Sequence, residues 1–180
     1  MMGLGRTAEQ RETGVRIEVT VDEAVRLARA ARPLPAMVLG VRAAGEAGDA
    51  VEVDLDPTLL PGASGLLRFG AALAGQVTVT ARFLGFADGD ATFALAAQAR
   101  GLTVDRLLNH LTGAIAAALA AQGLPPDVVA LHPGEEGPVL VAHAQAVVDA
   151  RATGVVVQAV ALRAGAATVT LTIPAEVHLP

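Results

Sequence analysis

Apolar and polar residues alternate through several stretches of the chain, and each alternation predicts a strand with one wet face. In VRIEVTV, residues 15–21, Val15, Ile17 and Val19 fall on one side and Arg16, Glu18 and Thr20 on the other. GQVTVTARF sets Val77, Val79, Ala81 and Phe83 against Thr78, Thr80 and Arg82, and ATFALAAQ returns with Phe93 and Leu95 on the apolar side. The Asp88-Gly89 step between them suits a tight turn with positive φ. MVLGVR and AVEVDL predict another hairpin around AGEAGD, with Val51, Val53 and Leu55 inward and Glu52 and Asp54 outward. VVVQAVALRAGAATVTLTI predicts the last one, where Val169, Leu171 and Ile173 oppose Thr168, Thr170 and Thr172.

Two stretches follow the helical period instead. Thr20 opens T-V-D-E, a capping-box pattern in which Thr20 accepts from the Glu23 amide and Glu23 reaches back. The helix it starts, DEAVRLARAAR, places Val21, Ala24, Val25 and Ala28 on one stripe. Arg29 and Arg32 sit near its C-terminal end, where the macrodipole favours cations, and Pro33 and Pro35 stop it. The second helix is expected within LTVDRLLNHLTGAIAAALAAQGLPP, residues 102–126. Val104, Leu108, Leu111, Ile115 and Leu119 form its large-residue stripe, Arg106 and His110 lie opposite, and Gly113, Ala117 and Ala121 form a small-residue ridge. Such a helix needs a partner on each side. A sheet that is polar outside and apolar inside supplies that cover. Residues 57–74 read as an apolar, Gly-rich connector with a short helix over 65–74.

The order of elements recurs. LTVD at 102–105 echoes VTVD at 19–22, GEEGP at 134–138 echoes GEAGD at 45–49, and an alternating hairpin follows each. The predicted fold class is therefore α+β: a duplicated strand-helix-hairpins unit whose curved antiparallel sheet packs on two helices. Residues 1–14 are read as a flexible leader and 15–174 as one domain of two repeat-like halves, 15–99 and 101–174. Residues 175–180 are read as a tail.

Carried by VRIEVTVDEAVRLA, GQVTVTARFLGFADGDATFAL, the 102–126 helix and VVVQAVALRAGAATVTLTI, this pattern resembles the tubular lipid-binding (TULIP) proteins and related bacterial phospholipid-binding domains. The resemblance covers most of residues 15–174 and rests on pattern, with no diagnostic motif. It implies a groove for acyl chains between a curved sheet and a helix, and no catalysis. Sliding clamps also duplicate a strand-helix-strands unit, but a DNA channel needs a basic lining, and this chain has only scattered Arg.

Composition narrows the function classes. The 180 residues suffice for one domain with a sizeable core. The net charge of −5 and the mere four Phe, with neither Tyr nor Trp, speak against a nucleic-acid partner. The absence of cysteine removes disulfides, thiolate metal ligands and Cys nucleophiles together. The longest apolar run, Gly113 to Ala121, falls well short of the ~20 residues of a membrane span, and the N-terminus lacks a secretory pattern. A cytoplasmic location is the expectation.

Candidate chemistry fails its context tests. GLGRTA at 3–8 has no strand before it, and GAALAGQV at 70–77 lacks the lysine and hydroxyl of a phosphate loop. Ser64, the sole serine, lies in GASGL, where a nucleophile elbow requires glycine at Leu66. A metal site from His132, His143 and Glu135 or Glu136 is conceivable, yet hairpin pairing sets His132 opposite Val139, so the ligands diverge. Asp54 with Asp56 and Asp88 with Asp90 read as edge and turn carboxylates, and His110 with Arg106 as a solvated helix face. No catalytic residue, metal or cofactor is expected. The expected function is non-catalytic, with an apolar interior that binds a lipid or other hydrophobic ligand against Val79, Phe83, Phe93, Leu95, Leu108, Leu111, Ile115 and Leu119. The alternatives are a dry core and a structural protein that forms a homo-oligomer through a strand edge or the Ala/Gly ridge.

Overall fold

The computed structural model describes residues 13–31, 33–59, 75–99, 102–103, 128–132 and 138–173. In chain order these form β1 (Thr13–Thr20), α1 (Val21–Ala31), β2 (Val38–Ala44), β3 (Ala50–Leu55), β4 (Val77–Ala87) and β5 (Asp90–Ala99). Then come β6 (Leu102–Thr103), β7 (Val129–His132), β8 (Val139–His143), α2 (Ala144–Asp149), β9 (Val156–Arg163) and β10 (Ala166–Ile173). The chain is rich in antiparallel sheet, with two helices among the described residues.

The expected single curved sheet packed on two helices is corrected in its layout. The strands divide into a three-stranded sheet, β1-β10-β9, and a seven-stranded sheet, β2-β3-β4-β5-β8-β7, with β6 also on β5. Chain order explains the first: β1 crosses to the last strand, pairing Val15 with Leu171, Ile17 with Val169 and Val19 with Ala167. From Val15 to Val19 apolar residues meet apolar ones, so the alternation of both strands is satisfied at once. The strand begins at Thr13, two residues ahead of the predicted VRIEVTV.

Neither helix is enclosed by sheet. Thr20 and Glu23 make the predicted capping box: the Glu23 amide donates to Thr20 Oγ1 at 3.2 Å and the Thr20 amide to Glu23 Oε2 at 3.0 Å. These bonds, the backbone one first, hold the Glu23 carboxyl below its ordinary pKa. Beyond that start, Val21 is buried and Val25 half-buried, while Ala24 and Ala28 of the predicted stripe are exposed. Alanine offers too little area to hold a helix face down, and Leu27 is 64% exposed. α2 follows β8 directly and is not among the predicted helices. Of the predicted second helix only Leu102 and Thr103 are described, and they pair as β6 with Ala99 and Gln98. Its remainder, and the short helix predicted over 65–74, lie outside the described residues.

The core sits on one face of the larger sheet. Met37, Leu55, Val77, Val79, Leu95, Ala97 and Ala99 form it, and half-buried Val38, Val53, Ala81, Leu131 and Leu140 pack against it. Among the described residues no polar or charged side chain is buried. The opposite face carries an ionic cluster. Arg42 bridges Glu52 at 2.6 Å and Asp54, and the Thr78 hydroxyl donates to Asp54 Oδ1 at 2.7 Å.

Candidate functional site

The four described residues of the predicted ligand wall share one face of β4 and β5. Phe83 stands opposite Phe93, Ala81 opposite Leu95, and Val79 opposite Ala97. The two phenyl rings meet edge to face, with centroids 5.5 Å apart and planes at 65°, the arrangement their quadrupoles favour. Val79 and Leu95 are closed off, but Phe83 and Phe93 keep part of their surface accessible. Leu108, Leu111, Ile115 and Leu119 fall outside the described residues.

Register extends the wall beyond the residues that the alternation singles out. Phe93 pairs with Leu140 on β8, and Leu140 with Leu131 on β7. Phe83, Phe93, Leu140 and Leu131 thus form one apolar row across four strands, every member half-buried. The signal for the last two was present in VALH and VLVAH. Once His132 pairs with Val139, as predicted and as observed, Leu131 must face Leu140. Their meeting with Phe93 depends on the pairing of β8 with β5, which no local pattern encodes.

A bulge re-aims this wall at its end. Leu84 is skipped in the register between Phe83 and Gly85, after which Phe86 pairs with Ala91. The extra residue reverses the alternation, so Phe86 lies on the side of Phe83 while Leu84 is left 50% exposed.

The titratable residues hold structure together. His143 pairs with Asp90 across β8 and β5, and its Nδ1 lies 2.8 Å from Asp90 Oδ1. His132 is exposed, and among the described residues no three His, Asp or Glu side chains gather as metal ligands. Glu135, Glu136, His110, Arg106 and Ser64 lie outside the described residues. Asp54 is held below the ordinary carboxylate pKa, first by the Thr78 hydroxyl and then by Arg42 and Gln76, against a desolvation that pushes the other way. Asp56 Oδ1 accepts from the Thr58 amide at 2.9 Å and its hydroxyl at 2.5 Å, capping the 3₁₀ turn Pro57–Leu59. Asp88 occupies a left-handed turn position, φ 53°. Each carboxylate of the two predicted pairs has a local structural partner or place.

On the outer side of the three-stranded sheet lies an open groove of about 380 Å³, floored by Ala161, Thr168 and Thr170 and edged by Arg16, Glu18 and Arg163. Arg16 and Glu18 on its rim form an exposed ion pair at 3.7 Å.

No helix among the described residues is long and apolar enough to cross a membrane. Comparison of the chain with protein-family models, with curated proteins and with solved structures gives no match.

Proposed function

We propose that this protein is a non-catalytic binder of an apolar ligand, an acyl chain or similar hydrophobic molecule, held against the row Phe83, Phe93, Leu140 and Leu131. The observation that carries the reading is that this row is continuous, apolar and only half-buried. A finished core would close over phenyl rings, because each square ångström of apolar surface removed from water stabilises by about 25 cal/mol. The wall offers dispersion contacts and no hydrogen bonds, so it suits a ligand defined by hydrocarbon. The sequence pattern adds Leu108, Leu111, Ile115 and Leu119 to the assignment, and the resemblance to tubular lipid-binding proteins points the same way. The reading includes an internal duplication and a cytoplasmic location.

The test is native mass spectrometry of the gently purified protein, followed by organic extraction and titration with a fluorescent fatty acid. A mass increment that extraction removes, with saturable probe binding afterwards, supports the reading. A ligand-free protein that also fails to bind the probe refutes it.

A second reading, self-association, is favoured by one feature. Strand β1 runs for eight residues at the edge of its sheet, and Ile17 within it is 45% exposed. Such an edge is a template for strand pairing. Sedimentation that changes with concentration supports this reading; a monomer at all concentrations removes it.

A further inference from the structure

Strand β9 lies beside β4 and so joins the two sheets, and its two ends are held by unlike means. At its start, the Gln145 side chain accepts from the Val157 amide at 2.8 Å and donates to the Val155 carbonyl at 2.9 Å. The Gln145 amide donates in turn to the Gly89 carbonyl at 3.1 Å, so one residue ties β9 to the β4–β5 turn. Val155 and Val157 are both buried.

At the far end, the β9–β10 turn rests on the β2–β3 turn through backbone hydrogen bonds. The Ala164 amide donates to the Ala47 carbonyl at 2.7 Å and the Gly165 amide to the Gly48 carbonyl at 3.0 Å, while the Gly165 carbonyl accepts from the Val21 amide at 2.9 Å. Among the described residues, the one side chain close to Gly165 is the small Ala43, whose methyl would stand 3.1 Å from a Cβ placed there. A Cβ on Gly48 would stand 2.3 Å from the Gly165 nitrogen. Ala47 and Ala164 are exposed, and the turns border an open groove of about 420 Å³. Ala164 is moreover held at φ 51°, a left-handed conformation that disfavours any residue with a Cβ.

We propose that this paired-turn contact is a latch, which opens while the Gln145 end of β9 stays in place. Segments held by exposed backbone bonds with little buried apolar area open at lower free energy than the body of the fold. The latch has that character and the Gln145 end does not. What its opening serves rests on the apolar-ligand reading: parting the two turns loosens one end of the sheet-to-sheet junction and gives a hydrocarbon chain a way in.

Residue-resolved amide hydrogen exchange on the full chain tests this. Ala164 and Gly165 are expected to exchange at least about tenfold faster than Val157, after correction for intrinsic rates. Gly48→Ala is expected to quicken both and leave Val157 unchanged, whereas Ala164→Gly, which relieves the strain, is expected to slow Gly165. Equal protection at Ala164, Gly165 and Val157, with the same urea dependence, overturns the latch even if the fatty-acid probe binds. A latch that opens in a protein unable to bind the probe leaves the inference standing and removes the ligand reading.

Discussion

Gln145→Ala is the substitution whose cost follows most directly from the geometry. Gln145 is the first-turn residue of a six-residue helix, too short to persist on propensity alone, and its side-chain amide completes the hydrogen bonding of a neighbouring strand. Alanine keeps the helix propensity and removes three bonds: to the Val157 amide, to the Val155 carbonyl and to Asp149 Oδ1 at 2.7 Å. The Asp149 contact is exposed and contributes little. The two backbone groups belong to buried residues, and a buried group left without a partner costs about 1–3 kcal/mol. Gln145 itself is only half-buried, so water reaches part of the vacated space, and the combined loss is expected to be ~2–3 kcal/mol. In thermal terms that is roughly a 4–12 °C drop in Tm for a chain of this size. Urea unfolding followed by far-UV circular dichroism measures it, since a protein without Tyr or Trp gives no useful near-UV signal. Gln98→Ala, on an exposed strand position, is the control and is expected to change stability by less than about 0.5 kcal/mol. If the two variants prove equally benign, the account of how β9 is anchored is wrong.

The other predictions concern turn, wall and charge. Ala164→Gly removes a left-handed alanine and is expected to raise stability by ~0.5–1 kcal/mol despite the freer unfolded chain; an unchanged urea midpoint contradicts the strain. Phe93→Ala is expected to cost ~2–3 kcal/mol, below the value for a fully enclosed phenylalanine because part of its surface stays accessible. Phe93→Leu is expected to cost less than half of that and to retain probe binding that Phe93→Ala loses, read by titration of the fluorescent fatty acid. Asp54 has a folded pKa below its unfolded value near 3.8, so the unfolded chain binds the proton more readily. Its stabilising contribution is complete above that value and is lost as pH falls through the lower folded pKa. Urea midpoints of Asp54→Asn measured between pH 5 and pH 2 should therefore fall less steeply than those of the wild type.

How much of this was legible in the sequence depended on how local the encoding is. Thr20 and Glu23 lie three residues apart and each needs only the other, so the capping box was readable and is present. Asp88-Gly89 likewise announces its own turn, with φ 53° and 89°. Val77 to Phe83 could be assigned to one face because no irregularity interrupts them. Three bulges break the alternation. Leu39, Leu84 and Gln158 each drop out of register, and past each one the odd and even positions exchange faces. In VVVQAVALR the exchange at Gln158 is what puts Val157, Val160 and Leu162 on the same side, facing Leu171, Val169 and Ala167. A period-two reading that runs straight through cannot produce that set. The division into two sheets was hidden for another reason: it depends on β1 choosing β10 and on β8 choosing β5, pairings between segments far apart in the chain. α2 carries no cap signal, since the His143 side chain makes no capping bond to it; tertiary contacts of Gln145 make that segment helical.

The half-buried row also makes the ligand reading answerable by stability alone. A ligand that binds the folded chain and not the unfolded one stabilises it by RT ln(1 + [L]/Kd), about 2.7 kcal/mol at a hundredfold excess over Kd. Apolar surface covered on the wall, at about 25 cal/mol per Å² and offset in part by ordering the chain, sets Kd; the stabilisation then depends on the ratio of free ligand to Kd. Delipidated protein should therefore unfold at a lower temperature than protein purified with its ligand, and readdition of a fatty acid should restore the difference. Phe93→Ala should shrink the ligand-dependent part more than the ligand-free part, because it removes the surface on which the chain rests. Replacing an exposed leucine outside the row, such as Leu27 on α1, should leave the ligand-dependent shift intact. A shift equally reduced by both substitutions would mean that the added lipid acts on the protein surface at large, and the row would then be ordinary core left open at its edge.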